Sequence, residues 1–81
     1  MTADDFRRCG EILYGPRFQR TLANALGISE RTIRRWVAGT WPVPPSAQQE
    51  IVRLLKERAA NAARLATNIN LRQSRTESDN S

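Results

Sequence analysis

The residues best equipped for recognition chemistry lie between positions 17 and 35. Arg17, Arg20, Arg31, Arg34 and Arg35 stand there against one acid, Glu30, for a local net charge of +4. The first sixteen residues carry Asp4, Asp5 and Glu11 against Arg7 and Arg8, a net of −1, so positive charge is concentrated rather than spread. A guanidinium is planar, permanently charged and presents a fork of N–H donors that matches phosphate oxygens and the O6 and N7 edge of guanine. Of the thirteen basic residues only Lys56 is lysine. GC-rich coding produces the same bias toward arginine, so position rather than number carries the argument. A basic run holding a single acid gains no stability from its own repulsion, and an anionic partner is its plainest use.

Other chemistries are poorly provided for. The 81 residues contain no histidine and one cysteine, Cys9, which rules out an internal disulfide, a zinc ligand set and a Cys–His nucleophile. No glycine-rich phosphate loop and no paired acids on one face stand out, so an enzyme is the weakest reading, with no cofactor or metal expected. No apolar run approaches the roughly 20 residues needed to cross a bilayer. The opening MTADDFRRCG lacks the apolar core of a signal peptide. A lone thiol suits a reducing compartment, and the expected location is the cytoplasm.

Helices must position the arginines, because no segment alternates apolar and polar residues long enough for a strand. Thr2 and Asp5 match a capping box, followed by Phe6, Cys9 and Leu13 at helical spacing and an end near Tyr14 and Gly15. Pro16 suits the first turn of a second helix whose stripe is Phe18, Leu22, Ala25 and Leu26, stopped by Gly27. Ser29 can cap a third helix with Ile33, Trp36 and Val37 on its inner face, closed by Gly39. Thr40 to Pro45 cannot continue it. Ser46 and Gln49 match a second capping box, opening a long helix over about 46–70. Residues 71–81, without an apolar residue after Leu71, are expected to form a disordered tail.

The turn between the second and third helices is tight, since one ends at Gly27 and the next begins at Ser29. Helices joined so closely cross at a steep angle. Ala23, one turn before that end, is small enough to let the helices approach, and Gly27 can take the positive φ that reverses the chain. On an ideal helix Ile33, Trp36 and Val37 share one side, and Arg31, Arg34, Arg35 and Ala38 fall on the other.

The segment QRTLANALGISERTIRRW, Gln19 to Trp36, resembles the helix-turn-helix of phage-repressor and Cro-like transcriptional regulators. That motif has a small residue, a turn glycine four positions later and an aliphatic residue six after that, here Ala23, Gly27 and Ile33. Leu22, Leu26, Ile28 and Trp36 stand at its accompanying apolar positions. The match covers about a quarter of the chain, and the flanking helices fit that family's four- or five-helix domain. The resemblance implies an all-α, lambda-repressor-like domain over 1–70, with the helix-turn-helix at 17–38 and an extended C-terminal helix. It implies sequence-specific binding of double-stranded DNA by a recognition helix at 29–38, in a bacterial or phage transcriptional regulator. Base contacts would come from Glu30, Arg31, Arg34 and Arg35, and phosphate contacts from Arg17, Gln19, Arg20, Ser29 and Thr32.

Val52, Leu55, Ala59, Ala62, Ala66 and Ile69 recur at three–four spacing, a heptad-like seam suited to a homodimer. The simpler use of so much alanine is a stable, solvated helix. For the two tryptophans, Trp36 is expected in the core, while Trp41 either packs under the long helix, the plainer expectation, or lies exposed near the DNA backbone. The same DNA binding would serve an excision or transposition accessory factor or an antitoxin, and nothing in the residues separates these. A different class also fits: a helical corner without DNA contact, whose long helix and tail serve protein or RNA association.

Overall fold

Thr2 accepts a hydrogen bond from the Asp5 amide at 3.0 Å, and the Asp5 carboxylate accepts from the Thr2 amide at 3.3 Å. This expected capping box opens α1 (Ala3–Tyr14). In the computed structural model, which describes the backbone of residues 1–80 and the side chains of residues 1–73, three further helices follow. They are α2 (Phe18–Leu26), α3 (Glu30–Val37) and α4 (Pro45–Asn80), with no strand among the described residues. The described residues are all-α, in four helices of which the C-terminal one is long.

Each of the first three helices ends at a glycine with positive φ: Gly15, Gly27 and Gly39. Gly27 matters most, because at φ 68° and ψ 32° it reverses the chain between α2 and α3. The Ile28 amide then donates to the Ala23 carbonyl at 3.0 Å, closing the end of α2. Pro16 lies in the turn before α2 rather than in its first turn, and Arg17 occupies the N-cap. Ala25 was expected on the buried stripe of α2 but is exposed; Ala23 takes that place, where the short helix needs a small residue against its neighbours.

The core joins all four helices. Phe6 of α1, Phe18, Leu22 and Ala23 of α2, Ile33 and Trp36 of α3, Val43 of the connecting loop and Ile51 of α4 form one buried cluster. Phe6 is its centre: its ring meets Phe18 edge-on at 6.3 Å and Trp36 at 5.6 Å with an interplanar angle of 90°. Fully burying an aliphatic or aromatic side chain contributes about 1.5–3 kcal/mol, so the four wholly enclosed ones (Phe6, Leu22, Ile33 and Ile51) dominate the stability of so small a domain. Cys9, Tyr14, Leu54 and Leu55 pack half-buried around this cluster. Burial raises the Cys9 thiol pKa, with Asp5 adding to the effect.

The start and end of α4 differ from the sequence expectation. Pro45 is the first helical residue, so Ser46 lies inside the helix and does not cap it. The Pro44 carbonyl accepts the Gln48 amide at 3.0 Å, and the Gln48 side chain, not that of Gln49, reaches back to the Val43 carbonyl at 2.8 Å. A proline at the first position needs no partner for an amide it lacks, which is why the helix can begin earlier than a serine cap would place it. At the other end, helix continues to Asn80, where the expected boundary was about 70 with a disordered tail beyond. Residues 71–80 contain neither glycine nor proline, so nothing in their types interrupts a helix. With 36 residues, α4 runs roughly 54 Å, in a molecule whose longest dimension is 60 Å. Its first turns close the core through Ile51; from Lys56 to Gln73 every residue is exposed.

Candidate nucleic-acid interface

The basic surface is built on α3. Ser29 is the N-cap: its hydroxyl accepts the Thr32 amide at 3.2 Å and lies 2.9 Å from the Thr32 hydroxyl. That cap fixes where the helix starts and therefore which residues turn outward. Ile33, wholly buried, and Trp36, 6% exposed, hold the inner side against α1 and α2. Val37 packs half-buried beside them. One hundred degrees per residue then leaves Arg31 and Arg34 facing solvent, and both are exposed.

The outward side chains are not equivalent. Arg31 has no hydrogen-bond or ion-pair partner among the described residues. Arg34 is 3.9 Å from Glu30, a one-turn pair between exposed side chains that contributes well under about 1 kcal/mol and yields readily to a better partner. Arg35 is half-buried and its guanidinium lies 4.1 Å over the Trp41 ring. Trp41 itself is 47% exposed, which corrects the expectation that it packs in the core. The physical reason is the turn at Gly39: the Arg35 carbonyl accepts the amides of Thr40 and Trp41 at 3.1 and 3.4 Å, folding the chain back over the outer side of α3. Val43, two residues on, enters the core instead.

The residues expected to meet phosphates divide between two helix starts. Arg17 is the N-cap of α2 and Arg20 lies in its first turn; both are exposed and without partners among the described residues. Gln19 between them is half-buried. Ser29 and Thr32 hold each other at the start of α3. The structure therefore couples Glu30 with Arg34, Ser29 with Thr32, and Arg35 with Trp41, and leaves Arg17, Arg20 and Arg31 free.

No protein-family model, curated protein or solved structure matches the chain. The geometry must speak for itself. Among the described residues no polar or charged side chain is buried, and no three His, Cys, Asp or Glu residues gather as metal ligands. No described helix is long and apolar enough to cross a membrane. What the surface offers is a short, rigidly held helix with guanidinium groups in water.

Proposed function

We propose that the chain binds double-stranded DNA sequence-specifically, as a bacterial or phage transcriptional regulator, with α2 and α3 acting as a helix-turn-helix and α3 as the recognition helix. The observation that supports this most is the outer side of α3, where a free Arg31 and a loosely paired Arg34 project from a helix anchored by Ile33 and Trp36. The major groove is about 12 Å wide and takes one helix, and arginine bonds guanine O6 and N7 together. Arg31 and Arg34 are the guanine readers in this scheme, with Glu30 accepting from a cytosine amino group. Arg17 and Arg20 contact phosphates from the start of α2, supported by Gln19, Ser29 and Thr32.

The chain acts as a homodimer through α4 in this reading. Val52, Leu65, Ile69 and Leu71 are exposed on a helix that overshoots the domain, and burying them needs a second surface. A two-fold dimer presents recognition helices about 34–36 Å apart and prefers a palindromic site.

Selection from random-sequence duplexes, followed by mobility shifts across a salt series, tests the proposal. Arg31→Ala is expected to cost about 1–3 kcal/mol on the selected site and much less on random DNA. Equal losses on both would reduce Arg31 to a phosphate contact. Absence of any salt-sensitive DNA binding would overturn the reading and favour protein or RNA association.

A further inference from the structure

We propose that Arg35, Thr40 and Trp41 form a seat for one phosphodiester group of the DNA backbone, so that Arg35 anchors the C-terminal end of α3 and does not read a base. The inference rests on the DNA-binding reading and refines it.

Three observations lead there. The Arg35 guanidinium is already committed, lying 4.1 Å over the Trp41 ring. A stacked guanidinium keeps its N–H donors free at its edge while its plane is fixed, so it is pre-organised for an oxyanion and poorly placed to swing toward a base pair. Trp41 is 47% exposed, an unusual amount for an indole in a domain whose other tryptophan is 6% exposed. Its ring N–H and the exposed Thr40 hydroxyl add two neutral donors on the same short turn. Finally, the turn is rigid. Gly39 has φ 76°, and the Arg35 carbonyl holds the amides of both Thr40 and Trp41. The residue that carries the charge thus also fixes the loop that carries the other donors.

The C-terminal end of a helix ordinarily repels anions, with a charge equivalent to roughly half an electron. Here the Arg34, Arg35 and Trp36 carbonyls are all occupied by turn amides, and the unit charge of Arg35 exceeds that residual field. No acid has an ion pair with Arg35 among the described residues; Glu30, the acid of this helix, pairs with Arg34.

The test separates a backbone seat from a base reader and from a purely structural stack. In Arg35→Ala, binding to the selected site and to random duplex is expected to weaken by the same factor, about ten-fold. The slope of log K against log salt should flatten by about 0.9. Loss confined to the selected site would overturn the seat and restore Arg35 as a base reader. Unchanged affinity on both would also overturn it, leaving the stack structural. Independently, Trp36→Phe leaves Trp41 as the only indole, whose quenching by acrylamide should fall when duplex is added and stay unchanged when inorganic phosphate is added at equal ionic strength. If Trp36→Phe does not fold, the same quenching is read in the native chain, where buried Trp36 contributes little. Protection by free phosphate alone would replace the DNA seat with a general anion site and overturn the proposal. DNA binding with no change at Trp41 overturns the seat but leaves the function intact, whereas no DNA binding overturns both.

Discussion

Gly10 of α1 lies against the Phe18 ring of α2, and adding one methyl group there should unsettle the whole domain. An ideal Cβ at Gly10 would lie 2.1 Å from Phe18 Cδ2, 2.4 Å from Cε2 and 2.6 Å from Cγ. Carbon atoms pack best at about 3.5–4.0 Å, so the overlap exceeds an ångström with one edge of a ring. That ring has nowhere easy to go: Phe18 is 2% exposed and meets Phe6 edge-on, which in turn meets Trp36. Overpacking a filled core costs about 1–3 kcal/mol, and this overlap belongs at the upper end. Against it stands the gain of about 1 kcal/mol from replacing glycine by alanine inside a helix. The expected net for Gly10→Ala is a loss of about 2 kcal/mol. In a domain this size that lowers Tm by roughly 8–16 °C. Urea and thermal unfolding followed by circular dichroism measure it directly. Phe18→Leu in the same background removes the offending ring edge, so the double variant should lose less than the sum of the two single losses. A Gly10→Ala protein as stable as the native chain, or more so, would refute the argument, because helix propensity would then have outweighed the contact.

Further outcomes follow from other sites. Gly27→Ala should lose about 1–2 kcal/mol, since an L-residue at φ 68° carries a steric penalty, and Gly27→Asn should lose less; unfolding midpoints decide it. The backbone hydrogen bond to Thr2 lowers the Asp5 pKa, with the Thr2 side-chain bond adding to it. A depressed carboxyl stabilises the fold above its unfolded pKa and loses that contribution as pH falls through the folded one. Asp5→Asn should therefore flatten the acid side of a stability–pH curve below about pH 4 and leave its alkaline side unchanged. The Cys9 thiol, raised by burial, should alkylate more slowly at pH 8 in the folded chain than in urea; equal rates would contradict its packing. Leu65→Glu with Ile69→Glu should turn the proposed dimer into a monomer by sedimentation without loss of helix, and a native chain that is monomeric throughout would remove the α4 pairing altogether.

The features legible in the sequence were those decided by neighbours along the chain. The Thr2 and Ser29 caps, the reversal at Gly27 and the inward turn of Ile33 and Trp36 each depend on a residue type and a spacing of three or four, which a helix converts directly into position. The features that escaped depend on contacts across the fold. Gly10 carried a signal, an isolated glycine inside an otherwise regular helix, but its reason lies eight residues away at Phe18. For Trp41 core packing was the plainer of two expected placements, yet a turn two residues earlier lays it on Arg35 in solvent, the exposed alternative. The beginning of α4 went astray for a related reason, since a serine cap and a proline first turn are both good local solutions and the buried anchor at Val43 favours the second.

That division bears on the candidate site itself. Periodicity could say that Arg31, Arg34 and Arg35 share a side, and it treated them as three equal guanidinium groups. The structure distinguishes them by what each already touches: no partner among the described residues for Arg31, a weak carboxylate partner for Arg34, an indole for Arg35. A free group loses side-chain entropy on binding, a paired one must first give up its partner, and a stacked one is already held in place. On the proposed DNA-binding reading, Arg31 should therefore contribute most to discrimination between sites, because its geometry is set only when the matching base edge is present. Arg35 should contribute most to affinity common to all duplexes, because its geometry is set beforehand. If Arg35→Ala changed sequence preference and Arg31→Ala changed only overall affinity, pre-organisation would be the wrong guide to how this helix divides its work.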